Sequence, residues 1–293
     1  MKKTLSIALA LVLCLGLLAA CGEAQSDPTD APETDSTASE APSSEPIELT
    51  GIVNTDGSTS MNDVMLALIE GFKSVQPGVT VNYNGSGSGA GISGVLAGSC
   101  DLGLSSRALT DDEKAEGAVE NVIAKDGVAV VVNPANPVTE LTTEQIAKIF
   151  TGEITNWSEV GGEDAEIAVF GRDSASGTRS AFEEILGIQD KCAYLNEYSS
   201  TGDVIGNVAS NPNAIGYASL SAVDETVSAV SVDGVAPTEA TVADGSFPIQ
   251  RPFVIVTVEG TELSEAAQAF LDYAMSADVA DIIAAAGAVS ANG

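Results

Sequence analysis

Three short segments rich in serine, threonine and glycine carry the residues of this chain that could do chemistry. They cover residues 57–60, 85–91 and 171–179, and each stands where a strand pattern gives way to a helical one. Hydroxyls, slim glycine backbone and free N–H groups at the positive end of a helix suit a tetrahedral oxyanion. The third segment adds Arg172, whose planar guanidinium matches two oxygens of such an anion. The sequence therefore predicts a site for a small oxyanion.

Each segment also has a simpler interpretation. Residues 57–60 could serve only as a helix cap, and residues 85–91 could be only a flexible loop. Arg179 lies four residues before Glu183, so we expect these two to form an ion pair within a helix.

Arg107 has two open roles. It either contacts the ligand or forms an ion pair with Asp101 or Asp173.

The composition argues against an enzyme. The chain has no histidine, which excludes a Ser-His-Asp triad and imidazole metal sites. Ser174 and Ser176 are weak candidates for a nucleophile, because no base that could activate them is visible. We expect no catalytic residue, no metal and no cofactor.

The charge is strongly acidic, with 42 Asp and Glu against 11 Lys and Arg. This balance argues against nucleic acid or anionic lipid as a partner. It does not exclude an anionic ligand, because surface charges are screened beyond about 10 Å while hydroxyls and a buried arginine act at contact distance.

The N-terminus is typical of a targeting segment. A basic start and an apolar run over residues 5–18 end in the sequence Leu-Ala-Ala-Cys, which is similar to a bacterial lipobox. We therefore expect a signal peptide over residues 1–20, an acyl chain such as palmitate on Cys21, and an acidic tether over residues 21–47. The alternatives are ordinary secretion with a coincidental cysteine and, for the tether, a partner-binding tail.

The remaining chain alternates strand and helix patterns, which predicts an α/β fold. We expect lobe one over residues 48–131 plus 250–293 and lobe two over residues 132–249, with two crossings that form a hinge around a ligand cleft. The crossings are predicted near Asn133-Pro134 and at residues 249–251. Strands are predicted at 50–54, 79–83, 101–105, 128–132, 167–170, 214–220 and 253–258, and helices at 61–75, 92–96 and 263–286. A further helix is predicted from a cap at Thr142 or Thr143 to Gly152, and another after residues 171–179, lined by Phe182, Ile185 and Leu186.

Two cysteines and one tryptophan lie in this folded part. Cys100 and Cys192 could form a disulfide or stay as two buried thiols. We expect Trp157 to pack in a core rather than touch a ligand.

Several segments together resemble the PstS family, the phosphate-binding lipoproteins of bacterial ABC phosphate transporters. The resembling runs are residues 57–60, 82–92, 101–109 (DLGLSSRAL), 141–162, 171–179 and 213–220, in the family's order. The resemblance implies a two-lobed periplasmic-binding-protein fold of type II that delivers phosphate to permease subunits and is not an enzyme. We also expect a monomer.

The resemblance further implies which positions contact phosphate. The matching positions are Thr59, Ser60, Ser88, Ser106, Arg107, Arg172, Ser176, Gly177 and Thr178.

One position departs from part of the family. Some members carry an aspartate where this chain has Ser106, and that aspartate accepts the proton of hydrogen phosphate. Asp56, Asp173 or a serine oxygen are candidates to replace it. The alternatives of another oxyanion (sulfate, molybdate or phosphonate) and of a module that only reports phosphate level stay open.

Overall fold

The structure of the chain is a computed structural model that describes residues 48–292. The predicted signal peptide, the acylation of Cys21 and the tether lie outside the described residues.

Strands and helices alternate along most of the described chain, as predicted. The strands are β1 (Gly51–Gly57), β2 (Val79–Gly85), β3 (Leu102–Ser105), β4 (Ala118–Val132), β5 (Glu140–Leu141), β6 (Ala168–Arg172), β7 (Asn196–Tyr198), β8 (Ala214–Ser219), β9 (Ser228–Ala229), β10 (Ser231–Val232), β11 (Gln250–Val258) and β12 (Val289–Ser290). The helices are α1 (Asn62–Val75), α2 (Ser88–Leu96), α3 (Asp111–Ala115), α4 (Thr143–Phe150), α5 (Gly177–Leu186), α6 (Thr201–Ser210), α7 (Glu239–Ala243), α8 (Glu265–Met275) and α9 (Ala280–Ala285).

One long sheet runs through both lobes in the order β2-β1-β3-β11-β4-β8-β6-β7. On the lobe-one side β1 pairs in parallel with β2 and β3, and β11 runs antiparallel to β3. On the lobe-two side β6 pairs in parallel with β7 and β8. The predicted ligand segments begin at the carboxyl ends of β1, β2 and β6. A helix follows each of these strands in the chain, as is common in α/β sheets.

Strand β4 joins the two lobes. Its first part, up to Gly127, pairs with β11, and its second part, from Val128, pairs with β8. The chain returns at residue 249, where the Val128 N–H donates to the Ile249 carbonyl at 2.7 Å. The two crossings are thus hydrogen-bonded neighbours.

The change of pairing partner at Gly127–Val128 lies earlier in the chain than Asn133-Pro134, where the sequence put the first crossing, and β4 runs unbroken past it to Val132. The pattern of apolar residues along a strand does not show where the strand stops pairing with one neighbouring strand and starts pairing with another. Since residues 128–132 belong to a strand that serves both lobes, the sheet does not decide where the lobes divide, and the predicted bounds at residues 131 and 249 stay a prediction.

Each lobe has apolar cores on both faces of its sheet, which explains the continuous apolar run at residues 128–132. Val128 and Val130 pack in one cluster of lobe two, while Ala129 and Val131 pack in the cluster on the other face. In lobe one, Phe253 packs in the cluster on one face of the sheet and Val254 packs in the cluster on the other face. A strand covered on both faces reads as apolar throughout rather than alternating.

The C-terminal helix differs from the prediction of one helix over residues 263–286. Helix α8 ends at Met275, because Ser276 adopts an extended backbone and its hydroxyl donates to the Tyr273 carbonyl. A second helix, α9, follows after a short turn. The sequence is rich in alanine on both sides of the break, so the helical periodicity continued across it and gave no sign that the helix ends.

Three smaller expectations can be compared directly with the structure. Cys100 and Cys192 are free, so no disulfide joins them. Trp157 packs in the lobe-two core and its indole N–H donates to the Asn213 carbonyl, which confirms the expected role. Across residues 48–292 the helices are each too short or too polar to cross a membrane.

Candidate anion site

Arg172 is the centre of the site, at the last residue of β6 and directed between the lobes. Its residue surface is 1 % exposed. The backbone on both sides is fixed: the Arg172 N–H donates to the Tyr217 hydroxyl, and its carbonyl accepts from Arg179 Nη1 at 3.0 Å. Arg179 is in turn held by Glu183, which confirms the ion pair expected from their spacing. The guanidinium therefore leaves a rigid strand end.

The hydrogen bonds of the Arg172 side chain all go to neutral oxygens. Nε donates to the Tyr198 carbonyl, and Nη2 donates to the Ser199 carbonyl. Nη1 donates to Thr201 Oγ1 at 3.0 Å, and Nη2 also donates to Thr59 Oγ1 at 3.1 Å. Among the ion pairs of residues 48–292, none includes Arg172. A buried cation is costly without an opposite charge, so this guanidinium is suited to an anion.

Hydroxyls from both lobes meet beside this guanidinium. Ser60, in the turn before α1, lies 2.7 Å from Thr178 Oγ1 and 2.9 Å from Thr201 Oγ1 through its own Oγ. Thr59 Oγ1 lies 3.3 Å from Thr201 Oγ1. Thr59 and Ser60 belong to lobe one, whereas Thr178 and Thr201 belong to lobe two. We call Thr59, Ser60, Arg172, Thr178 and Thr201 the arginine cluster.

A pair of serines forms the adjoining wall of the site. Ser88 opens α2 directly after Gly87, whose φ of +103° is a conformation that glycine adopts easily. The Ser106 N–H donates to Ser88 Oγ at 3.1 Å, and the two hydroxyls lie 3.2 Å apart. We call Ser88 and Ser106 the serine pair.

The serine pair and the arginine cluster meet at the start of α5. A Cβ placed on Gly177 would lie 2.3 Å from Ser88 Oγ and 3.1 Å from Ser106 Oγ, so only glycine fits there. Ser176 caps α5 by accepting from the Arg179 N–H. The N–H groups of Gly177 and Thr178 lie in the first turn, where the helix itself provides no acceptor for them. The structure thus collects hydroxyls, N–H groups and one guanidinium at one place, which can replace the hydration of an oxyanion.

One predicted contact has a different partner. Both terminal nitrogens of Arg107 donate to the Glu113 carboxylate, at 2.8 and 2.7 Å, and Nη1 also donates to the Ala108 carbonyl. The alternative of an ion pair from Arg107 to Asp101 or Asp173 is therefore wrong. In residues 48–292 Arg107 makes no hydrogen bond to the arginine cluster, and its contact with phosphate stays a prediction.

The candidate proton acceptors also have other partners. Asp56 Oδ1 accepts from the Ser86 hydroxyl and the Asn84 amide, and it ties β1 to the segment after β2. Asp173 Oδ1 accepts from the Ala175 N–H in a local turn. Within the described part of the chain, no hydrogen bond joins a carboxylate to the arginine cluster or the serine pair.

Sequence reasoning missed Thr201, which makes three of the contacts in the arginine cluster. Residues 187–213 carried no assigned element, although a signal was present. Ser200 is followed three residues later by Asp203, and the structure has the Asp203 N–H donating to Ser200 Oγ at the start of α6. A Ser-x-x-Asp spacing before apolar residues at helical intervals is a helix-start pattern.

Comparisons with known proteins show which family this chain belongs to. A family model described as the PBP superfamily domain matches residues 28–278. The phosphate-binding protein PstS of Bacillus subtilis is 32 % identical over 283 residues, which cover 95 % of this chain and 90 % of that protein. PstS of Borreliella burgdorferi is 31 % identical and covers 79 % of this chain and 87 % of its own length.

Solved structures give the same result. A Clostridium perfringens protein described as a phosphate ABC transporter substrate-binding protein, solved with bound phosphate, superposes with a TM-score of 0.80. It is 41 % identical and covers 83 % of this chain and all of its own. An ABC-type phosphate transport receptor from Vibrio cholerae has a TM-score of 0.67 and 34 % identity, and it covers 81 % of this chain and 99 % of its own. The chain belongs to the PstS family of phosphate-binding proteins.

Proposed function

We propose that this protein captures inorganic phosphate outside the cytoplasm and delivers it to an ABC importer. The observation that carries the proposal is Arg172, a guanidinium 1 % exposed that has only neutral hydrogen-bond partners. Membership of the PstS family names phosphate as the anion that this guanidinium takes.

The binding mechanism is replacement of the hydration shell. Arg172 supplies the charge and two parallel N–H groups, and the hydroxyls of the arginine cluster supply further donors. The first turn of α5 adds N–H groups and the positive end of the helix. A desolvated dianion needs many such donors, because each unsatisfied oxygen lone pair is expensive in a dry site.

Capture requires the lobes to separate and close again. Ser60 of lobe one contacts Thr178 and Thr201 of lobe two directly, so an anion reaches Arg172 only when these contacts open. The two neighbouring crossings, at Gly127–Val128 and at residue 249, provide the axis. Closure then exchanges hydroxyl–hydroxyl bonds for bonds to phosphate.

The delivery step rests on the family and on the N-terminus. We propose that an acyl chain on Cys21 holds a monomer at the membrane, where it meets the permease subunits. The relatives are binding proteins by name, and catalysis is not part of this proposal.

Calorimetric titration tests the binding step. The full chain, purified in detergent, is unfolded and refolded to remove bound ligand and is then titrated with phosphate, sulfate and molybdate. We expect one phosphate to bind per chain and much more tightly than sulfate. No heat with phosphate from a folded protein would refute the proposal.

A second anion remains a candidate because of one observation. No carboxylate is hydrogen-bonded to the arginine cluster or the serine pair in the described residues, so no fixed negative charge there repels a fully deprotonated anion. If sulfate or molybdate binds as tightly as phosphate at both pH 6 and pH 8, the fold stands and the substrate is a broader class of oxyanion.

A further inference from the structure

A buried ion pair lies at the crossing between the lobes, outside the residues that the proposed capture uses. Asp126 on β4 and Arg251 on β11 stand opposite each other in the antiparallel register. Their side chains are 0 % and 1 % exposed. Nε and Nη2 of Arg251 both donate to Asp126 Oδ2, at 3.0 and 2.9 Å.

The third nitrogen of this guanidinium points to the binding site. Arg251 Nη1 donates to the backbone carbonyl of Ser106 at 3.2 Å. The Ser106 N–H donates in turn to Ser88 Oγ. A continuous chain of hydrogen bonds therefore leads from the hinge to the serine pair.

The serine pair has little room to move. Because its two hydroxyls lie against Gly177, where no Cβ would fit, a shift of Ser106 by a few tenths of an ångström changes the space at the start of α5. The group that fixes Ser106 thus also fixes the wall of the site.

Stability alone does not explain this pair. A buried ion pair contributes little compared with apolar side chains of the same volume, because desolvation offsets the attraction. Here Asp126 Oδ1 is buried without a hydrogen bond of ordinary geometry among the described residues. Burial raises the pKa of Asp126 although Arg251, Ser219 and Ser221 oppose it, so the surroundings do not fully offset the desolvation of this carboxyl. All three nitrogens of the Arg251 guanidinium instead have hydrogen-bond partners, and these bonds join β4, β11 and the residue after β3.

We propose that Arg251, held by Asp126, is a positioning residue for the bound oxyanion. It fixes the Ser106 carbonyl next to the hinge, and this keeps the serine pair in its binding position when the lobes close. The inference rests on the proposed function, because its effect is measured on phosphate.

Two variants of the full chain separate positioning from folding. Arg251→Lys keeps a charge against Asp126, but a compact ammonium does not reach the carboxylate and the Ser106 carbonyl in one fixed geometry. The double variant Asp126→Leu with Arg251→Met replaces the pair by apolar side chains. In both we expect phosphate affinity to fall by about 10-fold, with a melting temperature of the double variant near that of the wild type.

A double-mutant comparison of phosphate affinity distinguishes positioning of the serine pair from a purely structural role of Arg251. Ser106→Ala removes the hydroxyl that lies 3.2 Å from Ser88 Oγ in the serine pair and leaves the backbone groups of Ser106 in place. If Arg251 acts through the serine pair, the loss of affinity in Ser106→Ala combined with Arg251→Lys is smaller than the product of the separate losses. Lys148→Met, which breaks the ion pair with Glu144, controls for the loss of an ion pair elsewhere in the chain and should leave affinity unchanged.

The outcomes distinguish the two proposals. A folded wild type that does not bind phosphate refutes the proposed function. A wild type that binds, together with variants that bind within twofold of it, overturns the positioning role and leaves the function intact, and so do losses that simply multiply. If the double variant does not fold, Arg251→Lys decides by the same criterion.

Discussion

Two buried arginines in this protein have opposite surroundings. Counted over the whole residue, Arg251 and Arg172 are 4 % and 1 % exposed. Arg251 faces the carboxylate of Asp126, whereas Arg172 faces only carbonyl and hydroxyl oxygens. Burial lowers the pKa of both guanidinium groups. Asp126 opposes this for Arg251, whereas for Arg172 Tyr217 and Asp173 oppose it and the nearby charge of Arg251 adds to it. The comparison shows how the same side chain becomes a neutral part of the framework or a receptor for an anion.

The difference follows from desolvation. A guanidinium removed from water loses several kcal/mol of solvation, which an internal carboxylate can offset at all times. Where the protein supplies no hydrogen-bonded carboxylate, as at Arg172, a bound anion supplies this offset, and the free energy of anion binding includes it. The lone arginine therefore links ligand capture to closure of the lobes.

The largest predicted effect is on Arg172. Arg172→Ala removes the charge and the paired N–H groups, and a desolvated phosphate is then uncompensated. We expect a loss of at least about 100-fold in phosphate affinity, equal to about 2.7 kcal/mol. Calorimetric titration measures it, and the rise in melting temperature that phosphate causes in the wild type should disappear.

Arg172→Lys serves as the matched control for this prediction. It keeps the charge without the planar fork, so affinity should lie between those of the wild type and Arg172→Ala. Near-normal phosphate binding by Arg172→Ala would remove Arg172 from the site and end the comparison.

The next prediction concerns the paired arginine. Asp126→Asn leaves the Arg251 guanidinium buried without an opposite charge, and the free energy of unfolding should fall by about 3 kcal/mol. Urea unfolding of the ligand-free protein measures this change. The double variant Asp126→Leu with Arg251→Met should recover most of the loss, because it leaves no buried charge.

A small effect of Asp126→Asn would mean that the ion pair does not neutralise Arg251. In that case the charges of Arg251 and Arg172 would be compensated by the protein to a similar extent. The stability of the crossing in the wild type would then come from the apolar contacts of β4 and β11.

Thr201 should have a moderate effect on the arginine cluster. Thr201→Val keeps the shape but removes the hydroxyl that contacts Arg172 Nη1 and Ser60. We expect about a 10-fold loss of phosphate affinity, typical of one hydrogen bond to a charged group, and recovery in Thr201→Ser. Thr143→Val makes the same exchange at the first residue of α4, which has no hydrogen bond to the cluster among the described residues, and should leave affinity unchanged. Equal affinities of Thr201→Val and the wild type would show that Arg172 needs no support from α6.

The contrast between the arginines also shows what a sequence can predict. The role of Arg172 could be predicted from the sequence because glycine, serine and threonine surround it at a strand–helix junction, which is a local pattern. The role of Arg251 could not be predicted, because its partner Asp126 lies far away in the chain and only the antiparallel register of β4 and β11 brings the two together. Thr201 was missed for a related reason: the cap of α6 was visible, but its distance to Ser60 depends on closure of the lobes.

Arg107 and Glu113 provide a partly buried counterpart of the fully buried ion pair. Burial would raise the pKa of Glu113, but hydrogen bonds from Arg107 and Thr110 outweigh it and hold that pKa below its ordinary value of 4.5. The pair therefore stabilises the fold above pH 4.5, and this contribution is lost as the pH falls through the lower, folded-state pKa. Because the pair is partly solvated, Glu113→Gln should lower the free energy of unfolding by less than about 1 kcal/mol at pH 7. The difference between Glu113→Gln and the wild type should vanish in urea unfolding well below pH 4. A loss as large as that of Asp126→Asn would contradict the view that burial, rather than pairing itself, separates the arginines of this protein.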